Sequence, residues 1–181
     1  RSFHDHFPKL GLINNIEEDH LDYYHSLDAI IESFRGFAKR IPHENDGGYL
    51  LIAHDEAHRH TVTPGLECKI ETFGFHPEAD YQIIFDPSVQ RVGILRDGMW
   101  TIQWTNSMPG SHNALNAAAA AILASKLGLD WELMLESPHQ KELLCAVVQF
   151  HSCQLMPCIR SFLHNKRKHR NEQWFMVCNS R

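Results

Sequence analysis

An apolar run, Leu10-Gly11-Leu12-Ile13, breaks directly into Asn14-Asn15-Ile16-Glu17-Glu18-Asp19-His20-Leu21-Asp22-Tyr23-Tyr24. Consecutive apolar residues without polar alternation fit a strand buried on both faces, as in a parallel sheet. Four carboxylates and a histidine between Glu17 and Asp22 cannot follow that strand into a core, so the chain must leave the sheet here. In open α/β sheets this carboxyl edge is where ligands bind. The plainer reading of the same stretch is a solvated acidic turn.

The residues beyond it continue the pattern. Ser26 reads as a helix N-cap with Asp28 in the first turn, and Leu27, Ile30, Ile31, Phe34, Phe37 and Ala38 follow at helical spacing. Lys39 and Arg40 suit the end of that helix, and Pro42 lies just past it. Asn45-Asp46-Gly47-Gly48 marks a turn. Tyr49–Ala53 reads as a second buried strand and Lys69–Phe73 as a third, while His54–His60 reads as a solvated, histidine-rich helix. From Asp80 to Gln103 the pattern is strand-like, with Arg96-Asp97-Gly98 as a hairpin turn. Ser111–Leu127 is an alanine-rich helix closed by Gly128. Strands alternating with helices predict an α/β fold with a parallel sheet, to which the hairpin region adds a small antiparallel β piece.

Charge divides the chain unevenly. Residues 1–136 hold 10 Lys/Arg against 20 Asp/Glu, and residues 137–181 hold 7 against 2. An acidic body does not offer nucleic acid a broad basic face, so no nucleic-acid partner is expected. No apolar run reaches the length of a membrane span, so no membrane partner is expected either. No secretory leader is visible, and the chain opens on Arg1 rather than Met, which reads as a start in mid-protein. Cys145, Cys153, Cys158 and Cys178 are spaced unlike paired zinc ligands and read as free thiols of a reducing, cytoplasmic compartment. Within the tail, the run Lys166-Arg167-Lys168-His169-Arg170 reads as solvated.

A second motif, Pro109-Gly110-Ser111-His112-Asn113-Ala114-Leu115-Asn116, opens the alanine-rich helix. His112 and Asn116 are four apart and share one face, with Asn113 beside them. Imidazole and amides offer both donors and acceptors, which suits a purine edge. The alternative is a core helix whose polar residues only satisfy its own end.

Together the two motifs resemble the Mur ligases, the ATP-dependent amino-acid ligases of peptidoglycan synthesis. Asn14-Asn15-Ile16-Glu17, Asp19-His20 and Asp22-Tyr23-Tyr24 are similar to the family's T-N-I-E-x-D-H-x-D-Y-Y segment, with Asn14 in place of Thr. Thr72-Phe73-Gly74-Phe75 and Ala79-Asp80-Tyr81 resemble its T-Y-G-F…A-D segment, and Pro109–Asn116 its P-G-x-H-N-x-x-N. The resemblance covers residues 1–132. It implies the second half of a central ATP-binding domain, with ATP and Mg2+ as cofactors and an acyl phosphate on the reaction path. It implies His20 as a metal ligand with Asp19 and Asp22 supporting it, and Asn15 near the phosphates. His112 and Asn116, with Asn113, would contact adenine. Within the family the likeness is to the branch joining L-alanine to UDP-N-acetylmuramate. The tripeptide-adding recycling branch is the rival, because its asparagine pair resembles Asn14-Asn15. Some members carry a carbamoylated lysine about fifteen residues after the histidine; Arg35 stands there, as in the alanine-adding branch.

The likeness has gaps. The chain contains no G-x-x-x-x-G-K-S/T phosphate loop, and the metal-sharing glutamate would lie just before Arg1. His54-Asp55-Glu56 replaces a usual Asp-Asp pair. After residue 132 the match fades, so residues 133–181 read as an atypical basic, cysteine-containing tail, from a shifted frame or disordered. The expectation is a fragment that does not ligate alone, the alternative a non-catalytic nucleotide-binding remnant. A transition-metal site on His54, His58 and His60, or a metal hydrolase on Asp19, His20 and Asp22, stays open on the residues alone.

Overall fold

In a computed structural model, residues 8–17, 26–136 and the backbone of 175–179 are described. Their elements are β1 (Leu10–Asn15), α1 (Leu27–Ala38), β2 (Tyr49–Ala53), α2 (Arg59–Val62), β3 (Lys69–Gly74), β4 (Tyr81–Asp86), β5 (Arg91–Arg96), β6 (Met99–Thr105), α3 (Ser111–Lys126), α4 (Trp131–Glu136) and β7 (Phe175–Asn179). A short 3-10 turn, Glu44–Asp46, precedes β2. The chain divides into two compact units, the first holding residues up to Thr72 together with β7, the second beginning at Phe73. β3 runs through that boundary.

The first unit takes the strand order β3-β2-β1-β7. β1 is parallel to β2, Leu10 to Ile13 facing Tyr49 to Ile52, and parallel to β7 on its other edge. Such a centrally paired strand must be apolar on both faces, and Leu10 to Ile13 are all buried. α1 begins at the expected cap: the Ser26 Oγ accepts from the Ala29 N–H at 3.3 Å. The face carrying Ile30, Ile31, Phe34, Phe37 and Ala38 is buried in one cluster with Ile13, Ile16, Leu50, Ile52 and Val62. Each such side chain contributes roughly 1.5–3 kcal/mol by leaving water. Cys68 joins this cluster as a free thiol. Burial pushes its pKa up and Glu44 adds to that, while a backbone hydrogen bond acts the other way. It is a packing residue, since the thiolate is the reactive form. Cys145, Cys153 and Cys158 lie outside the described residues.

The second unit takes the order β6-β5-β4-β3. β3 and β4 are parallel, whereas β4, β5 and β6 form an antiparallel meander. Asp97 and Gly98 both have positive φ, as a tight hairpin turn of the primed type requires. Tyr81, Ile83, Val92, Ile94 and Ile102 are buried. α3 packs over β4 and β5, and its buried residues are chiefly Ala114, Ala117, Ala118 and Ala121. Alanine lets the helix axis come close to the strands. The result is the expected α/β class: parallel strands with an antiparallel addition. Residues 54–60 depart from expectation, because turns occupy most of them and α2 starts only at Arg59.

Gly48 is a point of close approach. A Cβ there would overlap the Pro42 carbonyl, while the Gly48 N–H donates to the His43 carbonyl at 3.1 Å and its own carbonyl accepts from Lys69 at 3.0 Å. Backbone pinned on both sides cannot give way. Gly48→Ala is therefore expected to destabilise by about 1–3 kcal/mol or more in urea denaturation of the chain. An unchanged midpoint would contradict this packing.

Candidate functional site

Two regions carry the expected site residues, one in each unit. In the first, the chain leaves the sheet after β1. The paired register with β2 ends at Ile13 and Ile52 and that with β7 at Asn15 and Asn179, so the N–H of buried Ile16 lies past both ladders. The Glu56 side chain receives it instead: Oε2 accepts from Ile16 N at 2.8 Å, and Oε1 accepts from His58 N at 3.0 Å. One half-buried carboxylate thus ties the exit of β1 to the turn after β2. Asn15 is half-buried at this exit, and its Nδ2 donates to Glu17 Oε1 at 2.8 Å. Glu18, Asp19, His20 and Asp22 lie outside the described residues, so the metal and catalytic roles expected of His20 have no geometry here.

The histidine cluster nearby is organised by a cation. Arg59 points Nη1 to His54 Nδ1 and Nη2 to His60 Nε2, each at 3.1 Å. A guanidinium only donates, so both ring nitrogens act as acceptors. That arrangement turns His54 and His60 toward Arg59 and not toward an ion shared with His58. Arg35 pairs with Glu32 at 3.6 Å.

In the second unit, α3 begins on Gly110 at φ 103°, a conformation that favours glycine. No side chain caps the first turn. Asn113 donates Nδ2 to the Pro109 carbonyl at 2.7 Å, and Gly110 N–H donates to the Gln90 side-chain oxygen at 3.3 Å. The Asn106 N–H donates to the Gln90 carbonyl at 2.8 Å. The helix start is therefore fixed from outside, with Ser111 and His112 exposed and Asn113 and Asn116 half-buried. His112 and Asn116 share one face one turn apart, His112 exposed and Asn116 half-buried.

Sequence reasoning singled out Asn15, His112, Asn113 and Asn116 as site residues and gave Glu56 and Gln90 no bracing role. Glu56 bonds a residue forty positions away, and Gln90 one twenty positions away, so no local spacing marks either.

Residues 4–124 match the Mur ligase middle domain. The chain belongs to the Mur ligase family. Among curated relatives, the UDP-N-acetylmuramate--L-alanine ligase of Alkaliphilus metalliredigens is 31% identical over 71% of this chain and 28% of its own length. That of Caldanaerobacter subterraneus subsp. tengcongensis is 33% identical over 72% of this chain and 29% of its own. The match thus spans less than a third of these Mur ligases. Among solved structures, the UDP-N-acetylmuramate:L-alanyl-gamma-D-glutamyl-meso-diaminopimelate ligase of Neisseria meningitides aligns with a TM-score of 0.62 at 22% identity, over 84% of this chain and 43% of that one. MurF of Acinetobacter baumannii aligns at 0.56 and 17% identity, over 86% and 33%. These likenesses establish the shared fold.

Glu56→Ala is expected to leave the Ile16 N–H buried and unsatisfied, lowering stability by about 1–3 kcal/mol. Faster amide hydrogen exchange at Ile16 and His58 checks this, and Glu56→Gln, which keeps one acceptor, should lose less. Unaltered exchange at Ile16 in Glu56→Ala would contradict the clamp.

Proposed function

We propose that this chain is the nucleotide-binding second half of the central domain of an ATP-dependent ligase joining L-alanine to UDP-N-acetylmuramate in the cytoplasm. The observation that carries the reading is the start of α3, where Pro109-Gly110 presents His112 and Asn116 on one face. The names of the matched relatives support the substrates, and the Asp22-Tyr23-Tyr24 ending supports the same branch. The Asn14-Asn15 pair is the one feature that favours the tripeptide-adding rival.

In this reading His112 and Asn116 hold adenine, with Asn113 bracing the helix start through Pro109. Asn15 lies by the phosphate path, and His20 is a ligand of Mg2+. Magnesium-bound ATP, when present, would transfer its terminal phosphoryl group to the sugar carboxylate, leaving ADP, and the amine of L-alanine would displace phosphate from the activated carboxyl to form the amide. The residues in hand contribute positioning: Glu56 fixes where the chain leaves β1, and Gln90 fixes where α3 begins. They include no phosphate loop, so ligation by these 181 residues alone is not expected.

Two measurements test this. Adenosine titrated into the purified chain should give saturable NMR shifts at residues 111–116, weakened at least tenfold by Asn116→Ala. Shifts confined to other residues would remove the adenine role. Phosphate release assayed with ATP, Mg2+, UDP-N-acetylmuramate and L-alanine should stay at background. Turnover dependent on L-alanine would show that the chain needs no further segment.

A further inference from the structure

The second unit holds a cavity of about 400 Å³ at the far end of α3, lined by Tyr81, Arg96, Thr101, Lys126, Asp130 and Trp131 among others. Along the helix axis it lies roughly 20 Å from the His112 turn, so it is separate from the adenine face. Its size is in the range of small-molecule pockets. We propose that this cavity binds a small oxyanion, a compact carboxylate- or phosphate-bearing metabolite.

The argument rests on how the cations are held. Tyr81 is only 2% exposed, and two positive charges converge on its ring: Arg96 Cζ at 4.7 Å from the centroid and Lys126 Nζ at 5.4 Å. Arg96 also donates to the Tyr81 hydroxyl. Cation–π contact and hydrogen bond order both side chains in advance, so less rotamer freedom is lost when a ligand arrives. The Arg96 guanidinium, whose Nε also pairs with exposed Asp97 at 3.8 Å, matches a carboxylate or phosphate edge, and the lysine adds a point charge. Thr101 and Trp131 also line the pocket, whereas the Ser125 hydroxyl is committed to the Ile122 carbonyl and offers the ligand no donor.

Negative groups limit what fits. The Asp130 Oδ1 accepts from Glu132 N at 2.8 Å at the start of α4, and it lines the same cavity. The last carbonyls of α3 carry partial negative charge at this end. Those charges oppose an extended polyanion, and they leave a compact oxyanion seated between Arg96 and Lys126 as the matching ligand.

The test is an NMR titration of the full 181-residue chain with inorganic phosphate and, separately, with acetate, against potassium chloride at matched ionic strength. Phosphate or acetate should produce saturable shifts at Arg96, Thr101, Lys126, Gly128 and the Trp131 indole. The stronger of the two arms identifies the class. Lys126→Gln should raise the apparent Kd at least fivefold, and Arg96→Lys, which keeps the charge but loses the fork, should raise it as well. The same spectra report whether each variant is folded. Linear shifts, equal shifts with chloride, or an unchanged Kd in folded Lys126→Gln would overturn the site and leave Lys126 as a partner of the α3 carboxyl end alone.

Discussion

Everything at the carboxyl edge of the first unit depends on how a doubly paired, fully buried strand is allowed to end. While β1 runs between β2 and β7, its backbone groups are satisfied by neighbours. The β2 ladder stops at Ile13 and the β7 ladder at Asn15, yet Ile16 is still buried. A buried N–H without an acceptor is among the costlier defects a fold can carry. Glu56 removes it with one carboxylate oxygen and uses the other on His58. The position at which the acidic loop departs is therefore set by a side chain from the neighbouring strand's turn. Asn15 and Glu17 take their places from that point.

The second unit solves a related problem differently. The start of α3 is held partly by its own Asn113 and partly by residues outside the helix. Gly110 supplies the backbone conformation, while Gln90 and Pro109 anchor the turn from outside. The alanines behind it let the helix settle against β4 and β5. The opposite end is built from cations gathered on one tyrosine. One helix thus presents two chemically different ends, each pre-ordered by residues from the antiparallel strands or their turns.

Much of this was legible in the residues. The apolar runs marked β1, β2 and β3, the Ser26 cap marked α1, and Asp97-Gly98 marked the hairpin, because each pattern is local. The parallel sheet followed from alternation, and the likeness to Mur ligases followed from two spaced motifs. The histidine-rich stretch misled: its spacing resembles a helix surface, but turns occupy most of residues 54–58 and α2 begins only at Arg59, whose guanidinium meets His54 and His60. Glu56 and Gln90 were invisible because their partners are distant in sequence. Phe175–Asn179, a short apolar piece beyond a basic run, carries too little periodicity to single out a partner for β1.

The most direct trial of the account is photolabelling of the chain with 8-azidoadenosine, followed by peptide mapping. The account predicts label on the peptide containing Ser111–Asn116, lost on competition with adenosine. Label that maps elsewhere, or that adenosine does not displace, would contradict the assignment of that helix face to the nucleotide base.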